Sequence, residues 1–257
     1  MAGDRPRLLV RPPSRRLAEG EITHLERVPV DPALARAQWE RYVDQFRTRG
    51  WEIVEVEAAD DQPDGVFVED AVVVFDDLAV LCRAGAPSRR GELASIAAAT
   101  EAVGIPSVAI VAPGTLDGGD VLKVGRTVYV GRSSRTNDAG IAQLRGVLEP
   151  RGWRVVEVPV TKVLHLKSGV TALPDGVVVG YAPLVDDPAA FPEFLPVPEE
   201  HGTAVVVLDE DTILMSADAP ETAALYRARG LEVVETAVTE FEKLEGCVTC
   251  LSVRVRG

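Results

Sequence analysis

Four times along this 257-residue chain a helix-like stretch ends in a glycine and runs into an apolar extended segment: RTRGWEIVEV at 47–56, AVGIPSVAIV at 102–111, EPRGWRVVEV at 149–158 and RARGLEVVET at 227–236. Glycine suits the left-handed cap of a helix, and the residues after it read as a strand. The cap glycines Gly50, Gly104, Gly152 and Gly230 are 54, 48 and 78 residues apart, and the last gap leaves room for one degenerate unit within 165–197. Five units then fit the length. Apolar hairpin signals lie ahead of the helices, with turn pairs at Asp76-Asp77, Gly125-Arg126 and Asp175-Gly176. Each unit therefore reads as strand, strand, helix, strand. A single unit of this size cannot bury its own apolar faces, so copies are expected to stack around an axis into one closed α/β domain over 1–257, strands inside and helices outside. An open α/β sheet is the alternative; the tight hairpins imply mixed strand pairing and favour the ring. The best loop segments are 60–65 and 185–202, neither reading as a domain boundary.

Composition narrows the function classes. The net charge of -13, without any run of Lys or Arg, lacks the basic footprint that nucleic acid requires, and such a surface favours approach of cationic small molecules. No apolar run is long enough to span a bilayer, and the prolines and arginines near the start break up any signal-like core, so a cytoplasmic location without membrane contact is expected. Three cysteines, Cys82, Cys247 and Cys250, are too few for a disulfide framework and read as thiols.

The chain holds only three histidines. His165, in VLHLKSG at the end of an expected strand, is placed to face a central cavity; His24 and His201 sit in polar, loop-like contexts. Cys247 and Cys250 have CxxC spacing, but a β-rich run follows where a redox motif would open a helix, and no further zinc ligands stand at recognisable spacing. A buried structural role is open for each thiol. Whether Cys247 can pair with Cys250 is open too. Acids gather in PDGVFVED (Asp64, Glu69, Asp70) and in LDGGD (Asp117, Asp120), where capping of turns competes with recognition of a guanidinium, whose planar donors match carboxylates. Arg89 and Arg135 each stand near an expected helix start, a good place to hold an anion.

Taken together and in order, FVED (67–70), RAGAPSRR (83–90), TLDGGDVL (115–122), GRSSRTN (131–137), LHLKS (164–168) and EGCVTCLSV (245–253) resemble dimethylarginine dimethylaminohydrolase, of the guanidine-modifying pentein superfamily. The resemblance implies a five-bladed α/β-propeller and hydrolysis of free N-methylated arginine to citrulline, without metal or organic cofactor. It implies Cys250 as nucleophile, His165 as general acid and base, and Asp117 orienting that imidazole. Asp70, with Glu69 beside it, would grip the guanidinium; Asp64 and the Leu17 carbonyl would meet the α-amine; Arg89 and Arg135 would clamp the α-carboxylate. An arginine deiminase-like activity and a non-catalytic ribosome anti-association factor of the same fold are the alternatives. The first usually carries a helical insertion for which this chain is too short; the second does not need the Cys, His and acid set. A small-molecule substrate is the expected partner, and a homodimer is carried forward as an expectation about assembly.

Overall fold

The computed structural model describes residues 5–256. In chain order, β1 (Arg7–Val10), α1 (Pro32–Arg47) and β2 (Glu52–Glu55) are followed by β3 (Val72–Phe75), β4 (Leu78–Leu81), α2 (Leu93–Ala102) and β5 (Ser107–Ala109). Next come β6 (Val121–Val124), β7 (Thr127–Arg132), α3 (Asp138–Leu148) and β8 (Arg154–Pro159), then α4 (Leu166–Gly169), β9 (Val170–Ala172), β10 (Val178–Gly180) and β11 (Phe194–Pro196). The chain finishes with β12 (Val205–Val207), β13 (Thr212–Ser216), α5 (Pro220–Ala228), β14 (Glu232–Thr236), α6 (Thr239–Glu242) and β15 (Val253–Val255).

Among the described residues the strands form five three-stranded sheets, each an antiparallel pair whose central strand pairs in parallel with a third: β3-β4-β5, β6-β7-β8, β9-β10-β11, β12-β13-β14 and β15-β1-β2. The first blade in chain order, β15-β1-β2, takes its inner strand from the far end of the chain, with Leu9 opposite Val253 and Arg7 opposite Val255. This is the five-bladed α/β-propeller. All four repeat glycines have positive φ, between 75° and 90°, the left-handed cap that the repeat implies.

Burial explains the ring. There is no single core but five, each between neighbouring blades: Leu8 and Val10 pack with Val206 and Leu214 of one neighbour, while Leu9 between them packs with Val72 and Val74 of the other. A strand with both faces covered needs a continuous apolar run, as in VVVF and LAVL, and each residue fully buried is worth roughly 1.5–3 kcal/mol. Such two-sided strands leave no blade stable alone. The inner strands β3, β6, β9, β12 and β15 line an axial cavity of about 820 Å³.

The structure departs from expectation in two places. Segment 185–202 is not simply a loop: it contains β11, the outer strand of the fourth blade, and two 3₁₀ turns, Ala182–Leu184 and Pro188–Ala190, replace the helix there. Prolines in this stretch block a helix but are tolerated on an edge strand. His165 lies not at a strand end but at the N-cap of α4, after β8 has stopped at Pro159. No helix among the described residues is long and apolar enough to cross a membrane.

Candidate active site

At one end of the axis, the segments leading into four inner strands converge: 64–70 before β3, 117–120 before β6, 164–168 before β9 and 247–250 before β15. The cavity they enclose is lined by Asp64, Asp70, Arg89, Arg135, His165 and Cys250, with Glu21 and Glu245 at its edge. It measures about 20 Å³, room for about one water molecule.

His165 is 3% exposed and held between two carboxylates. Its Nε2 lies 3.1 Å from Asp117 Oδ2, and its Nδ1 lies 3.7 Å from Asp70 Oδ1. Asp117 is fixed in turn, because the Gly85 amide donates to its Oδ1 at 2.9 Å. Burial pulls the imidazole pKa down, but Asp70, Asp117 and Asp120 outweigh it and raise it to about 9. The imidazolium is therefore the resting form at neutral pH. For Asp70, burial works upward and is overcome by His165 and Arg89, leaving it at about 2. The signs are opposite. The histidine contributes stability fully present below its ordinary value of about 6.5 and lost as pH rises through about 9; the aspartate contributes stability present above about 3.8 and lost as pH falls through about 2.

Two supporting features have roles that the sequence reading did not assign. Asp120, completely buried, accepts from the Leu166 amide at 2.9 Å and from Ser133 and Thr136 hydroxyls, so it fixes the turn that presents His165. Burial raises its pKa to about 6 against the pull of His165 and these donors. Gly119 supplies the space: a Cβ there would stand 2.6 Å from His165 Nδ1 and 2.7 Å from Asp70 Oδ1. The GG of DGGD was the available signal.

Cys250 is 6% exposed, in a turn closed by its amide donating to the Cys247 carbonyl at 3.1 Å. The Glu69 amide donates to the Cys250 carbonyl, and Tyr42 Oη bonds both the Val248 carbonyl and Ser252 Oγ, so the turn is tied on two sides. The thiol touches Cys247 Sγ at 3.4 Å. That hydrogen bond, then burial and the nearby acids, push the Cys250 pKa well above its ordinary value.

The remaining expected residues divide. Arg135 reaches Glu21 Oε2 at 3.1 Å, and Asp64 accepts from the Glu21 amide at 3.1 Å. Arg89 is buried and bonded to Glu92, to Asp70 Oδ2 at 2.6 Å and to the carbonyls of Asp64 and Phe67. Leu17 is fully buried, its carbonyl accepting from Gly20 near Asp64, and does not line the cavity. Nor does Glu69. Its carboxylate turns to the axial cavity, where Lys167 Nζ sits at 2.7 Å and Arg254 Nη2 at 3.2 Å.

The segment between β1 and α1 covers the cavity. Glu245, with a positive φ of 59°, accepts from the amides of Thr23 and His24 at 2.7 and 2.6 Å, and Glu21 bonds Ser88 and Arg135. Asp70, Asp117 and His165 offer ligand atoms within 4.8 Å of one another, and so do His201, Asp218 and Glu242, but in the first set each carboxylate already holds backbone or arginine donors.

No family model matches the sequence. The N(G),N(G)-dimethylarginine dimethylaminohydrolase of Streptomyces coelicolor is 59% identical over 96% of both chains. The Pseudomonas aeruginosa enzyme of that name, solved as a cysteine-to-serine variant complexed with citrulline, superposes with a TM-score of 0.89 at 31% identity over 97% of this chain and 98% of its own. The N-terminal domain of a cyanobacterial arginine dihydrolase shares the fold, with a TM-score of 0.87 at 24% identity over 98% of each chain. With a relative this similar over nearly its whole length, the chain belongs to the dimethylarginine dimethylaminohydrolase family.

Proposed function

We propose that the protein hydrolyses free N-methylated arginine to citrulline and methylamine or dimethylamine, with Cys250 as nucleophile. The observation that carries this reading is the set of groups lining one cavity: the cations Arg89 and Arg135, the acids Asp64 and Asp70, and His165 with Cys250. Those groups supply partners for the carboxylate, ammonium and guanidinium of an arginine. The full-length similarity to dimethylarginine hydrolases supports the methylated substrate over the unmethylated one.

The guanidinium carbon is a weak electrophile, so it needs a soft nucleophile and carboxylates to hold the cation in line. Glu69 and Asp70 oppose a thiolate on Cys250, and an entering guanidinium offsets that repulsion, so the thiol gives up its proton to solvent as the substrate binds. The thiolate then adds to the guanidinium carbon. His165, already an imidazolium, donates its proton to the departing amine, leaving an S-alkylthiouronium on the enzyme. The neutral imidazole next takes a proton from water, and hydroxide releases citrulline. Such proton transfer is worth about 10²–10⁴-fold. Asp117 orients the ring, the Leu17 carbonyl ties down Gly20 beside Asp64, and Glu69 anchors the turn that carries Asp70 to Lys167 and Arg254. The chain works as one cytoplasmic catalytic domain, as a homodimer.

An arginine-sized molecule enters only when Glu21 withdraws from Arg135, since both carboxylates seek the same guanidinium. Arg135→Ala is expected to raise KM about 10- to 100-fold, the loss of one or two charged hydrogen bonds, with kcat nearly unchanged. Methylated agmatine, which lacks the carboxylate, serves as control; an equal loss with it would exclude the carboxylate role. The kcat–pH profile should fall on its basic side near pH 9, and Asp117→Asn should move that limb to lower pH by removing a carboxylate that raises the His165 pKa. An unmoved limb excludes His165 as the titrating acid. Citrulline release from dimethylated, monomethylated and unmethylated arginine, compared by kcat/KM, tests the function itself; a preference for unmethylated arginine overturns it.

A further inference from the structure

Cys247 and Cys250 belong to different cavities. Cys250 faces the enclosed site, whereas Cys247, half-buried, lines a separate groove of about 570 Å³ together with Lys162, His201 and Lys243. Their sulfurs nevertheless touch at 3.4 Å across the turn. A turn of this kind keeps its end Cα atoms within about 7 Å, inside the reach of a disulfide, so bonding needs only side-chain rotation and a small closure. The third thiol, Cys82, is buried in another blade, 2% exposed, against the Val80 carbonyl.

We infer that Cys247 is an oxidative modification site: a hydroperoxide entering the groove oxidises Cys247, and Cys250 resolves it to a Cys247–Cys250 disulfide that switches the enzyme off. The inference rests on Cys250 being the nucleophile. In the first step the Cys247 thiolate attacks a peroxide oxygen, the O–O bond breaks, a sulfenic acid forms, and hydroxide or alkoxide leaves. In the second, Cys250 sulfur attacks Cys247 sulfur, the S–S bond forms, the S–O bond breaks, and the departing hydroxide takes the Cys250 proton as water. Two electrons pass from the sulfurs to the peroxide. A dithiol reverses the result by exchange.

The division of labour follows from the surroundings. The hydrogen bond shared with Cys250, helped by Thr249 at 3.3 Å, lowers the Cys247 pKa while burial opposes, and the same contact raises that of Cys250. The more acidic thiol is thus the one open to the groove, and thiolate character with access governs oxidation. The nucleophile is reached through its neighbour rather than through its own closed site.

The test exposes the full-length enzyme to hydrogen peroxide and follows activity, free thiols after denaturation, and the mass of the tryptic peptide 244–254, which carries both cysteines. Expected are near-complete loss of activity, restoration by dithiothreitol, a fall from three free thiols to one, and loss of two hydrogens from that peptide. Cys247→Ser should keep its starting activity and lose it at least about tenfold more slowly under the same exposure, because only the buried, less acidic thiol is left. Inactivation of Cys247→Ser at the wild-type rate, or of wild type with three thiols intact, overturns the inference and leaves Cys250 as nucleophile. A disulfide that forms without loss of activity instead removes the assignment of Cys250.

Discussion

Cys250→Ser should lower citrulline release from dimethylarginine by at least about 10³-fold, with folding unchanged. A serine hydroxyl fits the space of the thiol, and the turn stays tied through the Glu69 amide and Tyr42. What goes is the group that can become an anion beside a cation. Cys247, though only 3.4 Å away and the more acidic of the two, cannot stand in, because it opens to the groove on the other side of the turn. Steady-state citrulline assay with a melting curve checks this. Residual activity above about a tenth of wild type would remove the nucleophile from the mechanism.

Gly119→Ala should cost at least about 10²-fold in kcat, a large effect for one methyl group. The added carbon meets His165 Nδ1 and Asp70 Oδ1, both on buried side chains already held, the imidazole through Nε2 by Asp117 and the carboxylate by the Gly119 amide, so the imidazole or the carboxylate must move. Overpacking of this kind also costs about 1–3 kcal/mol of stability. Gly152→Ala is the matched control: it has a φ of 79° and open space around it, so strain lowers the melting temperature while kcat stays put. Gly119→Ala with wild-type kcat would show that the spacing of His165 and Asp70 is not critical.

The ring was legible because its signals are local. A left-handed glycine closing a helix and a short run such as RVVEV are written in a few adjacent residues, and Gly50, Gly104, Gly152 and Gly230 carry them plainly. The fourth blade was hidden for the same reason: Pro183 and Pro188 sit in turns that replace the helix, and β11 ends in Pro196, so neither periodicity is present to read. In the site, the collinear motifs, through the resemblance they carry, pointed to Cys250, His165, Asp64, Asp70, Arg89 and Arg135, which line the cavity, and to Asp117, which holds His165. By residue type alone Glu69 and Asp70 could not be told apart. In the 3₁₀ turn Val68–Asp70 successive side chains diverge by about 120°, which sends one carboxylate to Lys167 and the other to His165. Asp120 stayed unassigned because its partners, Ser133, Thr136 and Leu166, come from two distant segments.

The first blade is completed by β15, the last strand in chain order, pairing with β1 across almost the whole sequence. The turn bearing Cys250 leads directly into that strand. During synthesis, therefore, His165, Asp64, Asp70 and Asp117 are made on a chain that still lacks both the strand that closes the ring and its reactive sulfur. Joining segments this far apart carries a loop-closure cost that only the finished polypeptide can meet, so assembly of the ring is late and comparatively slow. Chemical competence arrives with that closure, because the reactive sulfur and the strand that completes the ring belong to one segment.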